Sequence, residues 1–113
     1  DKQIAAVYKL TVLTASQLTD TPIDVEKVIV DDGYVGAGYG QPAQGTLDAI
    51  NLIARREGLL FDPVYSGKGL AGMIGLAGQN FFESDKDVIF LHTGGAAALF
   101  AYGNQLAENA ANG

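Results

Sequence analysis

Three stretches of the sequence combine residue types able to move protons or hold a small polar ligand. The most pointed is Val64-Tyr65-Ser66-Gly67-Lys68-Gly69, which sets a phenol, a hydroxyl and an amine within four residues, ahead of a glycine-rich segment. Tyr65 can act as acid or base if a neighbouring cation lowers its pKa from the ordinary value of about 10. The plainer assignment makes Tyr65 a core residue, Ser66 a helix cap and Lys68 a surface charge. The stretch is not a phosphate-binding P-loop, because the first glycine at its fixed spacing and the hydroxyl after the lysine are both missing. The second stretch, His92-Thr93-Gly94-Gly95, follows the apolar run Asp87–Leu91 and precedes a helical pattern. Ligands of open α/β sheets bind where a strand ends and a helix begins, and there the Thr93 hydroxyl can bond a ring nitrogen or a carboxylate. Alternatively, Thr93 caps the last helix and the glycines form only a tight turn. His92 fits a hydrogen-bonded structural residue better than a base. The third stretch runs from Asp31 to Pro42 with four glycines, Tyr34 and Tyr39, a composition that indicates a shaped loop and not a solvated linker. Its tyrosines either cover a site or pack over the second helix.

The elements that would position these residues follow from periodicity. Ile4, Val7, Tyr8, Val12 and Leu18 fall at helical spacing, and Thr19-Asp20-Thr21-Pro22 ends that helix, since proline cannot continue it. Val28-Ile29-Val30 is β-branched and predicts a short buried strand. Thr46 is placed to cap a second helix over 47–57, with Leu47, Ile50, Ile53 and Ala54 on its apolar face. Arg55 and Arg56 complement the helix dipole in its last turn, and Gly58 suits the left-handed residue after it. Leu59-Leu60-Phe61 continues as buried extended chain to Asp62-Pro63. Ser66 would cap a third helix reaching Ala77. Its Gly67, Gly69, Gly72 and Gly75 each cost about 1 kcal/mol relative to alanine, a loss tolerated where another backbone or a ligand comes close. Asp87–Leu91 predicts the clearest strand, and 96–106 a last helix, with a frayed tail from Glu108 to Gly113. Strands alternating with helices predict an α/β fold with a parallel sheet.

Composition narrows the class of function. At 113 residues the chain has the size of one domain, and 48% hydrophobic residues are enough for a buried core. A formal charge of −6 argues against nucleic acid and anionic membrane surfaces as partners. No apolar run approaches the ~20 residues of a membrane-spanning helix, and no signal-peptide pattern opens the chain. The absence of cysteine excludes disulfides and thiolate metal sites and fits a cytoplasmic protein. A single histidine rules out a multi-histidine zinc site, so no metal is expected. The chain lacks an initiator methionine and opens partway into a helical pattern, which suggests a fragment or a processed chain; removal of a leader is the alternative.

Taken together, the stretches resemble one family. Residues 57–72, Glu57-Gly58-Leu59-Leu60-Phe61-Asp62-Pro63-Val64-Tyr65-Ser66-Gly67-Lys68-Gly69-Leu70-Ala71-Gly72, match an "EG(I/L)LxDPVYxGK…AG" segment of the D-cysteine desulfhydrase and 1-aminocyclopropane-1-carboxylate deaminase family. Val88–Gly95 followed by Ala98-Leu99-Phe100-Ala101-Tyr102 resembles its "hTGG…ALFAY" ending, and Gly33-Tyr34-Val35-Gly36 with Gly38–Pro42 resembles the preceding loop. The similarity extends from about Val28 to Tyr102 in the family's order and spacing.

The resemblance implies a fold-type II pyridoxal 5'-phosphate enzyme, similar in layout to the tryptophan synthase β subunit. Residues 1–113 would be the C-terminal part of the cofactor-binding domain, a three-layer αβα arrangement around a parallel sheet. Tyr39 and Tyr65 correspond to the family's two active-site tyrosines, which contact substrate and help move protons. Ser66, Thr93 and Gly94 would bind cofactor, the two hydroxyls facing the pyridine end. Family members acting on the cyclopropane substrate carry glutamate and leucine at the Ser66 and Thr93 positions, so two hydroxyls favour the desulfhydrase branch or a related L-cysteate sulfo-lyase. A neutral hydroxyl leaves the pyridine nitrogen largely unprotonated, and the resulting weaker electron sink suits elimination of a good leaving group. The implied reaction is α,β-elimination of D-cysteine or L-cysteate to pyruvate, ammonia and sulfide or sulfite. The lysine that tethers the cofactor and the main phosphate-gripping loop lie earlier in the family's enzymes, and Lys68 does not correspond to that lysine. The expected partners are therefore the missing N-terminal part of the same enzyme, a small amino-acid substrate and a second copy in a homodimer, the segment alone being inactive. The other readings are an aminocyclopropane-carboxylate deaminase, or a small free-standing α/β module holding an anionic metabolite at Thr93-Gly94-Gly95.

Overall fold

The computed structural model describes residues 2–112; Asp1 and Gly113, the ends of the expected helical start and frayed tail, lie outside them. The chain divides into two compact units, residues 1–32 and 33–113. In the first, helix α1 (Lys2–Leu18) realises the amphipathic pattern and stops before Pro22. None of its side chains is buried. A single 3₁₀ turn, Val25–Lys27, follows and is capped by Asp24, whose Oδ1 accepts from the Glu26 N–H at 3.2 Å.

The second unit is helical, and this corrects the expected α/β fold. It contains α2 (Gln44–Glu57), α3 (Ser66–Gly78), a 3₁₀ segment Ala96–Tyr102 and α4 (Gly103–Asn112). Among the described residues the only sheet-like pairing is one antiparallel bridge, Gly38 with Gln41. The parallel sheet and the three-layer αβα arrangement are absent. Residues Val28–Val30, Leu59–Phe61 and Val88–Leu91 have the apolar side chains of strands, yet none is paired into a ladder. A strand exists only where a neighbouring edge accepts its backbone hydrogen bonds. Apolar β-branched sequence supplies the side chains of a strand but not that edge.

Two other boundaries move. Helix α2 begins at Gln44, two residues before its expected cap, so Thr46 lies inside the first turn and is buried, and Ala43 takes the cap position without a side-chain bond. The expected last helix divides into the 3₁₀ segment and α4, which carries regular helix through Glu108 to Asn112 where fraying was expected. Gly58 behaves as read from sequence: at φ 68° and ψ 19° it closes α2 with its N–H on Ala54 O.

The core of this unit comprises Ala49 and Ile50 of α2, Phe61, and Leu70 and Ala71 of α3. Phe90 adds to it by an edge-on contact with Phe61 at 5.4 Å between ring centroids. Two glycines of α3, Gly67 and Gly75, are required by close approach of other parts of the chain. A Cβ at Gly67 would meet the Asp62 carbonyl and Ile50, and one at Gly75 would enter the Tyr34 ring. Tyr34 thus lies against α3 and at the edge of the core that α2 and α3 share. No helix of the described residues is long and apolar enough to cross a membrane.

Candidate functional site

Asp62 organises the region where the chemistry-bearing residues meet. Its side chain is fully buried just ahead of α3. Oδ2 accepts the N–H groups of Val64 and Tyr65, each at 2.8 Å. Oδ1 accepts the Ser66 N–H at 2.9 Å and the Ser66 hydroxyl at 2.6 Å. These are the donors a helix start leaves without intrahelical partners, and one carboxylate satisfies them together. Burial is the largest single influence on the Asp62 carboxyl and pushes its pKa up, but the Ser66 hydroxyl and the three N–H groups together outweigh it and hold it below the ordinary value.

Ser66 is the first residue of α3, not its cap. Its hydroxyl donates to Asp62 Oδ1 and accepts from the Asp62 N–H at 3.0 Å. Its one proton is therefore committed, and the buried Ser66 can offer a further partner only a lone pair.

Asp62 also fixes the backbone of Tyr65 and leaves the phenol 60% exposed. There the Tyr65 hydroxyl meets the Tyr39 hydroxyl at 2.6 Å, with the rings edge to face at 5.8 Å between centroids. The hydrogen bond to Tyr39 is the main reason the Tyr65 phenol is raised above its ordinary pKa, with smaller contributions from desolvation and the charges of Tyr39 and Asp62. All of these influences raise it, so at neutral pH the Tyr65 hydroxyl is a phenol and not a phenolate.

The third piece arrives from the other end of the unit. His92 receives the Gly94 N–H on Nδ1 at 3.0 Å, so its Nε2–H donates to Leu60 O at 2.9 Å. Its ring lies 4.3 Å from that of Phe61. This is a structural role, as the apolar run before it suggested. Gly94 and Gly95 follow with φ of 98° and 95°, conformations open to glycine at little cost. A Cβ at Gly95 would lie 2.6 Å from Asp62 Oδ1. The Gly-Gly turn is thereby drawn against the same carboxylate that organises the start of α3. Thr93 is exposed and does not cap the following 3₁₀ segment, whose cap position belongs to Gly95.

Of the sequence-derived site residues, then, Tyr39 and Tyr65 are in direct contact, Ser66 is bonded to Asp62, and Gly94 with Thr93 lies in the turn that abuts it. Sequence reasoning missed Asp62, although an acid placed four residues before a helical Ser66 was a usable capping signal. Lys68 is not a free surface charge: its ammonium donates to Val35 O and, at 2.9 Å, to Gly38 O.

A larger cavity, about 630 Å³, lies between α2, α3 and α4 and includes Asp48, Asn51, Arg55 and Asn109 in its lining. Its polar groups serve one another. Asn109 donates to Asp48 Oδ1 at 2.8 Å, Gln44 donates to the same oxygen at 2.9 Å, and Arg55 donates to Ala110 O at 2.8 Å. These bonds clamp α4 onto α2. No protein-family model matches the chain.

Around Asp62 the side chains that could meet a pyridine ring such as that of pyridoxal phosphate are two hydroxyls, those of Ser66 and Thr93. An unprotonated pyridine nitrogen needs one donor, which the exposed Thr93 hydroxyl offers and the committed Ser66 hydroxyl does not. An anionic group is unwelcome at the Gly-Gly turn itself, because the ionised Asp62 abuts it.

Proposed function

We propose that this chain is the C-terminal segment of a pyridoxal-phosphate-dependent carbon–sulfur lyase acting on D-cysteine or L-cysteate. The observation carrying the proposal is the Tyr39–Tyr65 contact of 2.6 Å, which joins two residues that the family motifs single out from positions 26 apart in sequence. Exposure of Ile89 (92%), Leu91 (80%) and Phe100 (92%) further supports a segment that packs against more protein, since isolated chains seldom present so many large apolar groups together.

In this reading the cofactor, when bound, supplies the electron sink that makes the substrate α-proton acidic. Thr93 would hold the pyridine nitrogen as donor. Ser66 would offer only its free lone pair there, since its proton stays on Asp62. Tyr39 and Tyr65 would face the amino acid with two linked hydroxyls. A proton can pass between them, and one can protonate the departing sulfur while the other keeps the first oriented. Lys68 holds loop carbonyls and is not the tethering amine. The free-standing module for an anionic metabolite is disfavoured by the negative charge of Asp62 against Gly95.

The test combines the chain with the upstream portion that the resemblance implies and with the cofactor, then measures pyruvate from D-cysteine and L-cysteate and 2-oxobutyrate from 1-aminocyclopropane-1-carboxylate. Pyruvate from either sulfur substrate supports the proposal. A ketoacid product from the cyclopropane substrate alone would transfer the reading to the deaminase branch. No turnover of any of the three, with cofactor bound, would end it.

A further inference from the structure

We propose that Lys68 is a positioning residue for the tyrosine pair, setting the glycine-rich loop so that Tyr39 meets Tyr65 across the start of α3. The inference rests on the preceding reading only for the claim that the pair handles protons; the positioning itself is a matter of geometry.

Residues 33–41 have little structure of their own. Two left-handed glycines, Gly36 at φ 73° and Gly40 at φ 68°, reverse the chain twice, and the backbone bond Gln41 N–H to Gly38 O is long at 3.3 Å. The loop is therefore held from outside. On one side Tyr34 lies along Gly72 and Gly75. On the other the Tyr102 hydroxyl donates to Gly40 O at 2.8 Å. Between these anchors the Lys68 ammonium takes both Val35 O and Gly38 O, and Gly38 is bonded directly to Tyr39. Tyr39 thus sits between two fixed carbonyls, those of Gly38 and Gly40, and its ring is directed at Tyr65.

The residue type supports the same conclusion. Lys68 lies in the first turn of α3, where a cation opposes the helix dipole, so helix formation does not call for it. The two ion pairs among the described residues are Lys27 with Asp24 and Lys86 with Asp85, and Lys68 belongs to neither. A compact ammonium with three donors can satisfy two carbonyls converging from different directions. Lys68 leaves α3 one turn after Tyr65, so one helix end carries a member of the pair and the clamp that brings the other.

The experiment compares the chain with its Lys68→Met, Lys68→Gln and Lys68→Arg forms by alkaline titration of ring-labelled tyrosine, following Tyr65. Two effects of removing the ammonium have opposite sign. Loss of a nearby positive charge would move the Tyr65 titration to higher pH. Loss of the Tyr39 hydrogen bond would move it to lower pH, back toward the ordinary phenol. The inference expects a downward shift in Lys68→Met, a smaller one in Lys68→Gln and near-restoration in Lys68→Arg. It also expects that Lys68→Met causes no further downward shift once Tyr39→Phe has removed the bond. If Lys68→Met does not fold, Lys68→Gln decides by the same sign. An unchanged or upward titration in a folded Met or Gln variant overturns the inference. The lyase reading fails separately: a downward shift in a protein with no turnover leaves Lys68 as the clamp and removes the catalytic role.

Discussion

Replacing Asp62 by asparagine should loosen the start of α3 and the Gly-Gly turn together. The amide keeps one acceptor oxygen in nearly the same volume but turns an NH₂ toward two of the donors that Asp62 now accepts. If the oxygen stays with Ser66, the N–H groups of Val64 and Tyr65 each lose a charged acceptor. Hydrogen bonds to charged groups contribute about 1.5–3 kcal/mol each, so losing two costs about 3 kcal/mol at the lower bound. That is a large share of the ~5–15 kcal/mol that stabilises a typical domain. With a urea dependence of about 1–1.5 kcal/mol per molar, the unfolding midpoint should fall by roughly 2–3 M. Amide hydrogen exchange at Val64, Tyr65 and Ser66 gives a local reading of the same loss. The pH dependence adds a signed check. Because the folded carboxyl lies below its ordinary value, the unfolded chain takes up a proton first as pH falls. The stabilisation is complete above the ordinary carboxylate range and disappears as pH falls through the lowered folded value. Wild type should lose stability over that window, while Asp62→Asn should lose less, so the two converge in acid. An Asn variant with an unchanged midpoint, unchanged exchange at these three amides and the wild-type acid dependence would refute the reasoning.

Other outcomes follow from the packing. Gly75→Ala puts a methyl into the Tyr34 ring, 2.8 Å from Cε1; overpacking of about 1–3 kcal/mol should exceed the ~1 kcal/mol gained in helix propensity, and thermal unfolding should show a net loss. Gly45→Ala in α2 meets nothing within 4 Å and should stabilise by up to about 1 kcal/mol in the same assay. Phe90→Ala removes the edge-on partner of Phe61 and should cost about 2 kcal/mol, whereas Ile89→Ser on the exposed side should stay within about 0.5 kcal/mol of wild type and reduce self-association in light scattering. Tyr39→Phe should lower the pH at which Tyr65 ionises. Since the folded phenol is raised, its contribution to stability is complete below about pH 10 and declines above it, and that alkaline decline should shrink in the variant.

The helices were legible because their signals are local. The apolar period of 47–54, the cations Arg55 and Arg56 and the left-handed Gly58 all lie within α2 or its cap and need no distant partner. The extended segments were legible only as apolar, β-branched chain. Whether Val88–Leu91 becomes a strand depends on an edge elsewhere, and no local pattern encodes that edge. The candidate site divides in the same way. Tyr39 and Tyr65 were picked out as residue types, but their contact depends on Lys68 reaching back 30 and 33 residues to the loop. Asp62 was passed over as the turn residue before a proline, although its fully buried carboxylate is what joins the tyrosine, the serine and the Gly-Gly turn. Ser66 was read as a helix cap and, from the resemblance, as a hydroxyl facing the cofactor ring. Its proton is held by a side chain four residues away, and this alters what it can offer a ring nitrogen.

The account stands or falls on whether the linked phenols deliver a proton to the departing sulfur. Pyruvate release from D-cysteine, compared with release from 3-chloro-D-alanine, whose chloride departs without a proton, measures this directly in the cofactor-loaded protein containing this chain. Tyr65→Phe or Tyr39→Phe should slow release from D-cysteine on the order of 10²-fold or more and leave release from the chloro substrate nearly unchanged. Equal losses on both substrates, or turnover of D-cysteine unaffected by either substitution, would contradict it.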